Sequence, residues 1–471
     1  MSGFGPDGRV KRGSRLANAA IDGAGLASEP IGGSGAGAAL PSLRLTIEPP
    51  RSGHLVGFWL PAIALMAIAC IGAERWQQFF ALLPASVRAA LAPPGFVPNP
   101  LARFEAAFFL AGLALLLWRN RGLIADVLRT LQPQDGRHAL YAIAVLELLS
   151  FVTRPSSLGL DYQLLSLGPF GQHTGVFNRR ILDVALAYYL HLGGAFFILF
   201  HFLTVFGLLA MTRAYLRRLG AEPSFLVFVS IASSAFIIFN FQYPGYPDPL
   251  VLMLVLAAVL AEIDLEGLLF VIVLALLAHE ALALALFLPL APLVPRRVWP
   301  VLALPFAIYG LLWLTDFGFD VVAGWTAQVH YQGLSGPSAF LNRPWVVLFG
   351  LLAANKLLWV VIGGQLVFVA RRWGAGAVAR LAAPLSAMAA ISILSYDSSR
   401  MGEVGFLTLL WAWSGWAARR PRHIVLAVAV ANLLLPSVYV SPYFRRPFGV
   451  VWTPGLYSVY DGFAANTVAT K

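Results

Sequence analysis

The amino-acid sequence predicts an all-α integral membrane protein, a polytopic bundle of transmembrane helices. Of its 471 residues, 59% are hydrophobic and only 12% are charged, whereas a soluble domain normally carries about 25% charged residues. The mean hydropathy is +0.75, and the apolar residues fall in blocks of roughly 15 to 26, the length that crosses a bilayer as a helix. Because a helix satisfies its own backbone hydrogen bonds in lipid, we expect these blocks to be helical.

The chain divides into three predicted parts. Residues 1–50 are rich in Gly, Ala and Ser and are expected to form a disordered cytoplasmic tail. Residues 51–442 form the transmembrane domain, with external loops at 154–190 and 316–343, and residues 443–471 form an external C-terminal tail. We predict about eleven full spans, and they lie at 54–73, 101–118, 139–153, 191–211, 224–241, 249–261, 298–315, 344–370, 381–395, 404–418 and 424–439.

The stretch 267–294 decides the topology. As a single span it would place eight later arginines outside, against the tendency of arginine to stay in cytoplasmic loops. A half-helix hairpin that enters and leaves on the cytoplasmic side puts all eight inside. It also avoids the cost of about 2.5–3.5 kcal/mol for a charge at the bilayer centre, because His279 and Glu280 then lie near the tip, beside a polar cavity. The eight are Arg296, Arg297, Arg371, Arg372, Arg380, Arg419, Arg420 and Arg422.

The net charge of +11 comes almost entirely from arginine, because lysine occurs only at Lys11, Lys356 and Lys471. We do not expect nucleic-acid binding, since no basic groove with interleaved aromatic residues lies outside the apolar blocks. The single cysteine, Cys70, cannot form an intrachain disulfide. No His/Cys/Asp set has convincing metal-ligand spacing, so the cofactor is unknown: a divalent metal is not indicated, although the sequence does not exclude one.

On this topology the candidate site residues gather toward the external face. Asp161 lies in the first large polar loop, Asp248 at the external end of the fifth and sixth spans, and Asp397 in a later external turn. Ionisable groups at membrane depth are functional candidates by default. The full set of candidates is Asp161, Glu280 and Asp397 as catalytic residues, with Arg179, Arg180, Asp248, His279 and Arg400 binding substrate.

Several of these candidates also have a structural interpretation. Asp161 could be a solvated loop acid, and Asp248, which precedes a proline, could cap the following helix. Asp397 and Arg400, three residues apart, could form only a local ion pair. Glu280 with His279 is the most specific pair, because an apolar block is a costly place for either side chain.

Three cationic residues also have more than one interpretation. Arg179 and Arg180 either bind a phosphate by bidentate hydrogen bonds or contact lipid headgroups. Lys356, in the middle of a long apolar block, either snorkels to the interface, pairs with an acid, or meets a phosphate.

Five short motifs carry a family resemblance: LGLDYQ with Asp161, FNRRIL at 177–182, YPDP with Asp248, AHEA with Glu280, and YDSSR with Asp397. In this layout, over roughly residues 139–440, the chain resembles the GT-C superfamily of polytopic membrane glycosyltransferases. Family members usually place the acidic loop after the first span, and here two spans precede it. Either the first two spans are an N-terminal addition, or the catalytic acid lies elsewhere, for example at Glu74.

The resemblance implies an enzyme of the cell envelope, in the bacterial inner membrane, that transfers a sugar from a polyprenyl-phosphate donor at the external face. A carboxylate, Asp161, would act as general base. Arg179 or Arg180, together with Arg400, would stabilise the departing lipid phosphate. Glu280 and Asp397 would bind the acceptor, or would position the residues that bind it. Membrane lipid and the lipid-linked donor are the implied partners.

Two other classes of function fit the same sequence. A transporter or flippase for a lipid-linked or small polar substrate would use Glu280, His279 and Lys356 as coupling or substrate groups near the membrane midplane. A non-catalytic membrane scaffold would tolerate replacement of the external acids. The long polar external loops favour an external active site, because loops are needed to build one.

Overall fold

The structure is a computed structural model, and the part of the chain it describes is almost entirely helical. Its only described strands form a short hairpin near the C-terminus. The described residues are 54–71, 73–91, 100–150, 157–170, 180–242, 245–261, 263–287, 296–317, 341, 343–394, 400–440 and 448–452.

The elements follow one another in chain order. The first eight helices are α1 (His54–Cys70), α2 (Ala73–Ala81), α3 (Ala85–Leu91), α4 (Pro100–Arg119), α5 (Arg121–Thr130), α6 (Pro133–Ser150), α7 (Ser157–Leu165) and α8 (Ile181–Tyr189). The next six are α9 (Phe197–Arg218), α10 (Phe225–Ala232), α11 (Ala235–Gln242), α12 (Asp248–Leu260), α13 (Leu265–Phe287) and α14 (Trp299–Phe317). The last elements are α15 (Pro344–Asn355), α16 (Leu358–Trp373), α17 (Ala375–Leu394), α18 (Phe406–Ala417), α19 (Arg422–Leu434), β1 (Ser437–Val440) and β2 (Phe448–Trp452). Three short 3₁₀ turns accompany them, at Gly194–Phe196, Arg296–Val298 and Arg400–Gly405.

Local sequence sets several of these boundaries. Pro100, Pro133 and Pro344 are each the first residue of a helix, a position where the missing N–H costs nothing and the fixed φ suits the helix. Gly374 ends α16 with φ 78°, a conformation in which glycine carries no side-chain penalty. Helix starts and stops were therefore encoded locally at these positions.

Four described segments are long and apolar enough to cross a membrane: Leu101–Arg119, Gly194–Arg218, Leu265–Phe287 and Arg296–Leu314. A fifth is added if α15 and α16, which meet at 85°, are taken as one span. The prediction of about eleven full spans is therefore not confirmed. Several of the other predicted spans are occupied by shorter apolar helices, such as the 13 residues of α12.

Two predicted spans are interrupted. The predicted span 224–241 consists of α10 and α11, which are separated at Ser233 and Ser234. The predicted span 344–370 is broken at Lys356, whose backbone has φ 49° and ψ −128°. Its ammonium donates to the Leu435 carbonyl (3.1 Å) and approaches Ser233 Oγ (3.4 Å). Among the described residues Lys356 thus meets the C-terminal end of α19, where a cation is favourable, and not an acid.

Helix α13 lies at the centre of the bundle. Its apolar window is 83% buried, against 17% for the neighbouring Arg296–Leu314 segment, and it packs against α1, α8, α12, α14 and α17. Elsewhere large apolar side chains such as Leu60, Trp118 and Val360 are exposed. Such a surface suits lipid better than water.

The helical backbone of α13 is interrupted at His279, which has extended dihedrals (φ −157°, ψ 99°). Apart from this residue, α13 is described as one helix from Leu265 to Phe287, long and apolar enough to cross a membrane, so the predicted half-helix hairpin is not confirmed. Residues 288–295 lie outside the described part of the chain, so the return limb of the hairpin at 267–294 stays a prediction.

Two ends of the bundle differ in their charged residues. At one end, Arg119 pairs with both carboxylate oxygens of Glu266 (2.6 and 3.0 Å), and Arg218 donates to the Leu260 carbonyl. Asp248 lies at the other end of the 13-residue helix α12, 12 residues before Leu260, a rise of about 18 Å. The arginine-rich end and the Asp248 end are therefore on opposite sides of the helices that connect them.

The all-α prediction needs one correction near the C-terminus. Helix α19 ends at Leu434, and β1 then pairs antiparallel with β2. Because this hairpin joins residues on both sides of position 442, it crosses the predicted boundary between the transmembrane domain and the C-terminal tail.

Candidate functional site

Five of the predicted site residues meet in one buried group, which we call the Asp248 cluster. Its members come from four separate elements, and each is 8% exposed or less. Arg180 directly precedes α8, Asp248 begins α12, His279 and Glu280 lie at the interruption of α13, and Arg400 begins the last 3₁₀ turn. The cluster consists of Arg180, Asp248, His279, Glu280 and Arg400.

The strongest contact in the cluster joins Arg180 to Glu280. Arg180 Nε donates to Glu280 Oε2 (3.2 Å), and Nη2 donates to Oε1 (3.1 Å). Nη1 donates to the hydroxyl of Tyr162 (3.1 Å). A bidentate pair of this kind fixes orientation as well as charge.

Asp248 is held less tightly. Arg400 Nε lies 3.4 Å from Oδ2, and His279 Nε2 lies 3.9 Å from Oδ1. Neither carboxylate oxygen accepts a hydrogen bond from a described residue, although Asp248 is fully buried. Because the Leu282 backbone N–H donates to His279 Nδ1 (3.3 Å), a neutral His279 carries its proton on Nε2, facing Asp248. The site thus holds a buried carboxylate with acceptor capacity to spare.

Aromatic rings lie between Arg400 and Arg180, the two arginines of the cluster. The guanidinium of Arg400 lies 4.6 Å from the ring centroid of Tyr246 and 5.5 Å from that of Phe239, within cation–π range. Tyr246 in turn lies 6.1 Å from the ring of Tyr162. Gly245 precedes Tyr246 with φ 112°, a conformation that glycine adopts far more readily than other residues. This turn brings Tyr246 and Asp248 to the same end of the bundle.

Of the three remaining predicted site residues, one is described. Asp161 is described and solvent-exposed, one residue from Tyr162. Partial desolvation by neighbouring groups raises the pKa of its carboxyl above the usual value. Arg179 and Asp397 lie outside the described residues, and so does the side chain of Glu74.

Three residues beside the cluster were missed by the sequence analysis: Tyr162, Asp183 and Tyr246. Asp183 had a usable signal, because it is an acid inside the apolar segment ILDVALAYY, the same reasoning that selected Glu280. The tyrosines had none, since aromatic residues are common throughout the chain.

The charges of the site favour a ligand that donates hydrogen bonds. Two arginines, Arg180 and Arg400, face three nearby carboxyl groups, those of Asp183, Asp248 and Glu280. Among the described residues no group of three or more His, Cys, Asp or Glu side chains is arranged to hold a metal ion.

Comparisons with known proteins add no relative. No protein-family model matches the sequence, and neither a curated protein nor a solved structure matches it.

Proposed function

We propose that this protein is a membrane glycosyltransferase of the GT-C kind, which transfers a sugar from a polyprenyl-phosphate donor at the external face of the bacterial inner membrane. The observation that carries the proposal is the convergence of Asp248, His279, Glu280, Arg180 and Arg400 in one buried cluster, at the end of the bundle opposite the arginine-rich end. Buried ionisable groups that share one location are typical of a chemical site and not of a packing core.

The proposed reaction is a displacement at the anomeric carbon. The acceptor hydroxyl forms the new C–O bond, its proton passes to Asp161, and the bond to the lipid phosphate breaks. Arg400 is the better placed phosphate partner, because its ion pair with Asp248 is longer than the bidentate pair that Arg180 makes with Glu280. Asp248, Glu280 and Asp397 then bind acceptor hydroxyls.

The membrane arrangement is part of this proposal. About eleven spans, an internal N-terminus and an external C-terminus would put Asp161 and the Asp248 cluster at the external face. The separation of the arginine-rich end from the Asp248 end supports the arrangement.

The test is a transfer assay on the full chain in lipid nanodiscs. A panel of radiolabelled polyprenyl-phosphate sugars is supplied with membrane glycan acceptors, and the release of free polyprenyl phosphate is measured. We expect release by the wild type, and a fall of about 10²–10⁴-fold in Asp161→Asn, as for loss of a general base. Asp126→Asn is the matched control, because Asp126 is 42% exposed and pairs only locally with Arg129.

Either of two results would count against the proposal. Full activity in Asp161→Asn would remove Asp161 as the base. If the wild type released lipid phosphate from no donor in the panel, the enzymatic proposal itself would be lost.

A transporter or flippase is the second candidate, and the helix interruptions favour it. Transporters build substrate sites from discontinuous helices near the midplane, and α13 is interrupted at His279 while α15 and α16 meet at 85°. Uptake of a polar substrate that is coupled to protons and lost in Glu280→Gln, without release of lipid phosphate, would favour this candidate.

A further inference from the structure

Two neighbouring turns of the bundle carry a group of exposed arginines that the proposed reaction does not use. The first turn joins α16 to α17, and the second joins α18 to α19. Helix α16 packs against both α17 and α18. We call this group the Arg419 patch, and its members are Arg371, Arg372, Arg419, Arg420 and Arg422, all of them exposed.

A contact of α18 shows at which end of the bundle the patch lies. The hydroxyl of Ser414, in the last turn of α18, donates to the Leu219 carbonyl (3.0 Å). Leu219 directly follows Arg218, which belongs to the arginine-rich end. The patch is therefore at the arginine-rich end, opposite the Asp248 end, and a role for it is separate from the proposed transfer reaction.

Arg419 is held in place by neutral partners on α16. Its guanidinium lies 3.6 Å from the ring centroid of Phe368, in cation–π contact, and its Nη2 donates to Gln365 Oε1. Gln365, Phe368 and Arg372 are three and then four residues apart, so they share one face of α16. Arg419 and Arg372 are therefore neighbours across the two turns.

The arginines of the patch have no counter-charge in the part of the chain that the structure describes. No ion pair joins any of them to a described acid, whereas other arginines at the same end are paired: Arg119 with Glu266, Arg129 with Asp126, and Arg213 and Arg217 with Asp135. Desolvation and the neighbouring charge of Arg420 lower the pKa of Arg419. A group of like charges this close together attracts an anion.

Helix stability does not account for the whole patch. Arg371 and Arg372 lie in the last turn of α16, where the helix dipole favours a cation. Arg422 is instead the first residue of α19, whose first turn contains no acid, and at that position the dipole disfavours a cation. An anion bound beside Arg422 would offset this repulsion.

The surroundings of the patch suit a lipid headgroup. Trp373 directly follows Arg372, is 38% exposed, and packs edge-on against Phe368. Val367 on α16 and Ile424 on α19 are also exposed. Tryptophan beside arginine is typical of the headgroup level of a bilayer, with apolar residues next to it in contact with acyl chains. Guanidinium groups bind phosphate by paired hydrogen bonds.

We propose that the Arg419 patch binds the headgroup of an anionic phospholipid that carries two phosphates, as cardiolipin does. One phosphate bridges Arg372 and Arg419 across the two turns, and the other lies beside Arg420 and Arg422. The exposed apolar side chains next to the patch then face the acyl chains, a contact that a soluble anion would not make. Basic pockets between transmembrane helices bind headgroups of this kind.

The experiment measures lipid binding to the full chain in detergent micelles, with no sugar donor present. The purified protein is delipidated and titrated with cardiolipin, phosphatidylglycerol or phosphatidylcholine, and native mass spectrometry counts the lipids retained. We expect cardiolipin to bind about tenfold more tightly than phosphatidylglycerol. Arg371→Gln/Arg372→Gln and Arg420→Gln/Arg422→Gln should each weaken cardiolipin binding by about tenfold. All four side chains are exposed, so we expect both double variants to fold.

The matched control is Arg121→Gln/Arg129→Gln, which also removes two exposed arginines from the arginine-rich end. Arg129 pairs locally with Asp126, and Arg121 lies over the ring of Trp118, so neither belongs to the patch. This variant should bind cardiolipin as the wild type does. Inorganic pyrophosphate, added at the same concentration as the lipid, should not displace it.

Each outcome decides the proposal. Preference for cardiolipin, weakened in both patch variants and kept in the control, supports it. Unchanged binding in either patch variant, or no binding to the wild type, overturns it. An equal loss in the control would mean that net charge alone attracts the lipid, and equal affinity for phosphatidylglycerol would mean that two phosphates are not recognised. Either result also overturns the proposal, and so does displacement by pyrophosphate, which would indicate a site for a soluble anion.

Discussion

Two buried carboxylates at opposite ends of the bundle are satisfied to very different degrees. At the arginine-rich end, Asp135 accepts hydrogen bonds from Arg213, from Arg217 (2.8 Å) and from the Gln132 backbone N–H (2.8 Å); we call Asp135, Arg213 and Arg217 the Asp135 clasp. At the other end, Asp248 has Arg400 at 3.4 Å and His279 at 3.9 Å. Both carboxylates are fully buried.

The difference separates a structural role from a binding role. Native proteins pair nearly all buried polar groups, and one left incompletely paired calls for an explanation. The Asp135 clasp needs no ligand, because Arg213 and Arg217 of α9 and the Gln132 backbone N–H all donate to Asp135, in the first turn of α6. Asp248 has capacity for a ligand, and it lies among other ionisable residues from distant parts of the chain. Burial of charge alone would not have distinguished the two.

Replacing Asp135 and Asp248 in turn should give the largest difference in unfolding free energy. Asp135→Asn leaves Arg213 and Arg217 without their counter-charge, and breaking a buried pair in this way costs about 3–5 kcal/mol. Asp248→Asn also removes the counter-charge of the buried Arg400, but it should cost less, about 1–2 kcal/mol, because that ion pair is longer (3.4 Å) and the desolvation of the Asp248 charge is relieved. The measurement is equilibrium unfolding in mixed detergent micelles, with Asp126→Asn as the surface control.

A destabilisation by Asp248→Asn as large as that by Asp135→Asn would remove the distinction. It would show that Asp248 contributes to folding as the clasp does, and that its long contacts are no sign of a binding role.

The Arg180–Glu280 pair sharpens the comparison, because it belongs to the Asp248 cluster in position but resembles the clasp in geometry. We expect Arg180→Met and Glu280→Met to be strongly destabilising alone, since each leaves a buried charge. The double variant should cost less than the sum, with a coupling of about 2 kcal/mol. Equilibrium unfolding of the wild type, the two single variants and the double variant gives this coupling free energy. Strictly additive effects would mean that the pair is not coupled in the folded protein.

Sequence reasoning found the Asp248 cluster by two separate signals. A charged residue in an apolar block is costly, so Glu280 with His279 stood out without any knowledge of their partners, whereas Asp248 and Arg400 were selected because the predicted topology placed them at the external face. The first signal also selected the position of the interruption in α13, at His279. It was not applied to Asp183, which occupies the same kind of sequence.

The Asp135 clasp could not be found in this way. Asp135 lies in the polar stretch QDGRH and looks like a loop residue, and its partner Arg213 is 78 residues away. Arginines outside the candidate site were interpreted only as markers of membrane orientation. The predicted number of spans was not confirmed for a related reason. Counting apolar residues does not reveal a bend, and the 85° turn at Asn355 and Lys356 occurs inside a block that was predicted as one span.

The smallest expected effect is a pH dependence confined to the Asp135 clasp. Desolvation acts to raise the pKa of Asp135, but hydrogen bonds from Arg217, the Gln132 backbone and Arg213 outweigh it, so the pKa lies below its usual value. The stability from this group is therefore complete above the unfolded pKa of about 4 and is lost as the pH falls through the lower folded value. The gap in unfolding free energy between wild type and Asp135→Asn should be constant above about pH 5 and narrow below pH 4, by at most about 1.4 kcal/mol per pH unit. A gap that stays constant down to pH 2 would mean that Asp135 gains nothing from its ionised form, and the contrast with Asp248 would then rest on hydrogen bonding alone.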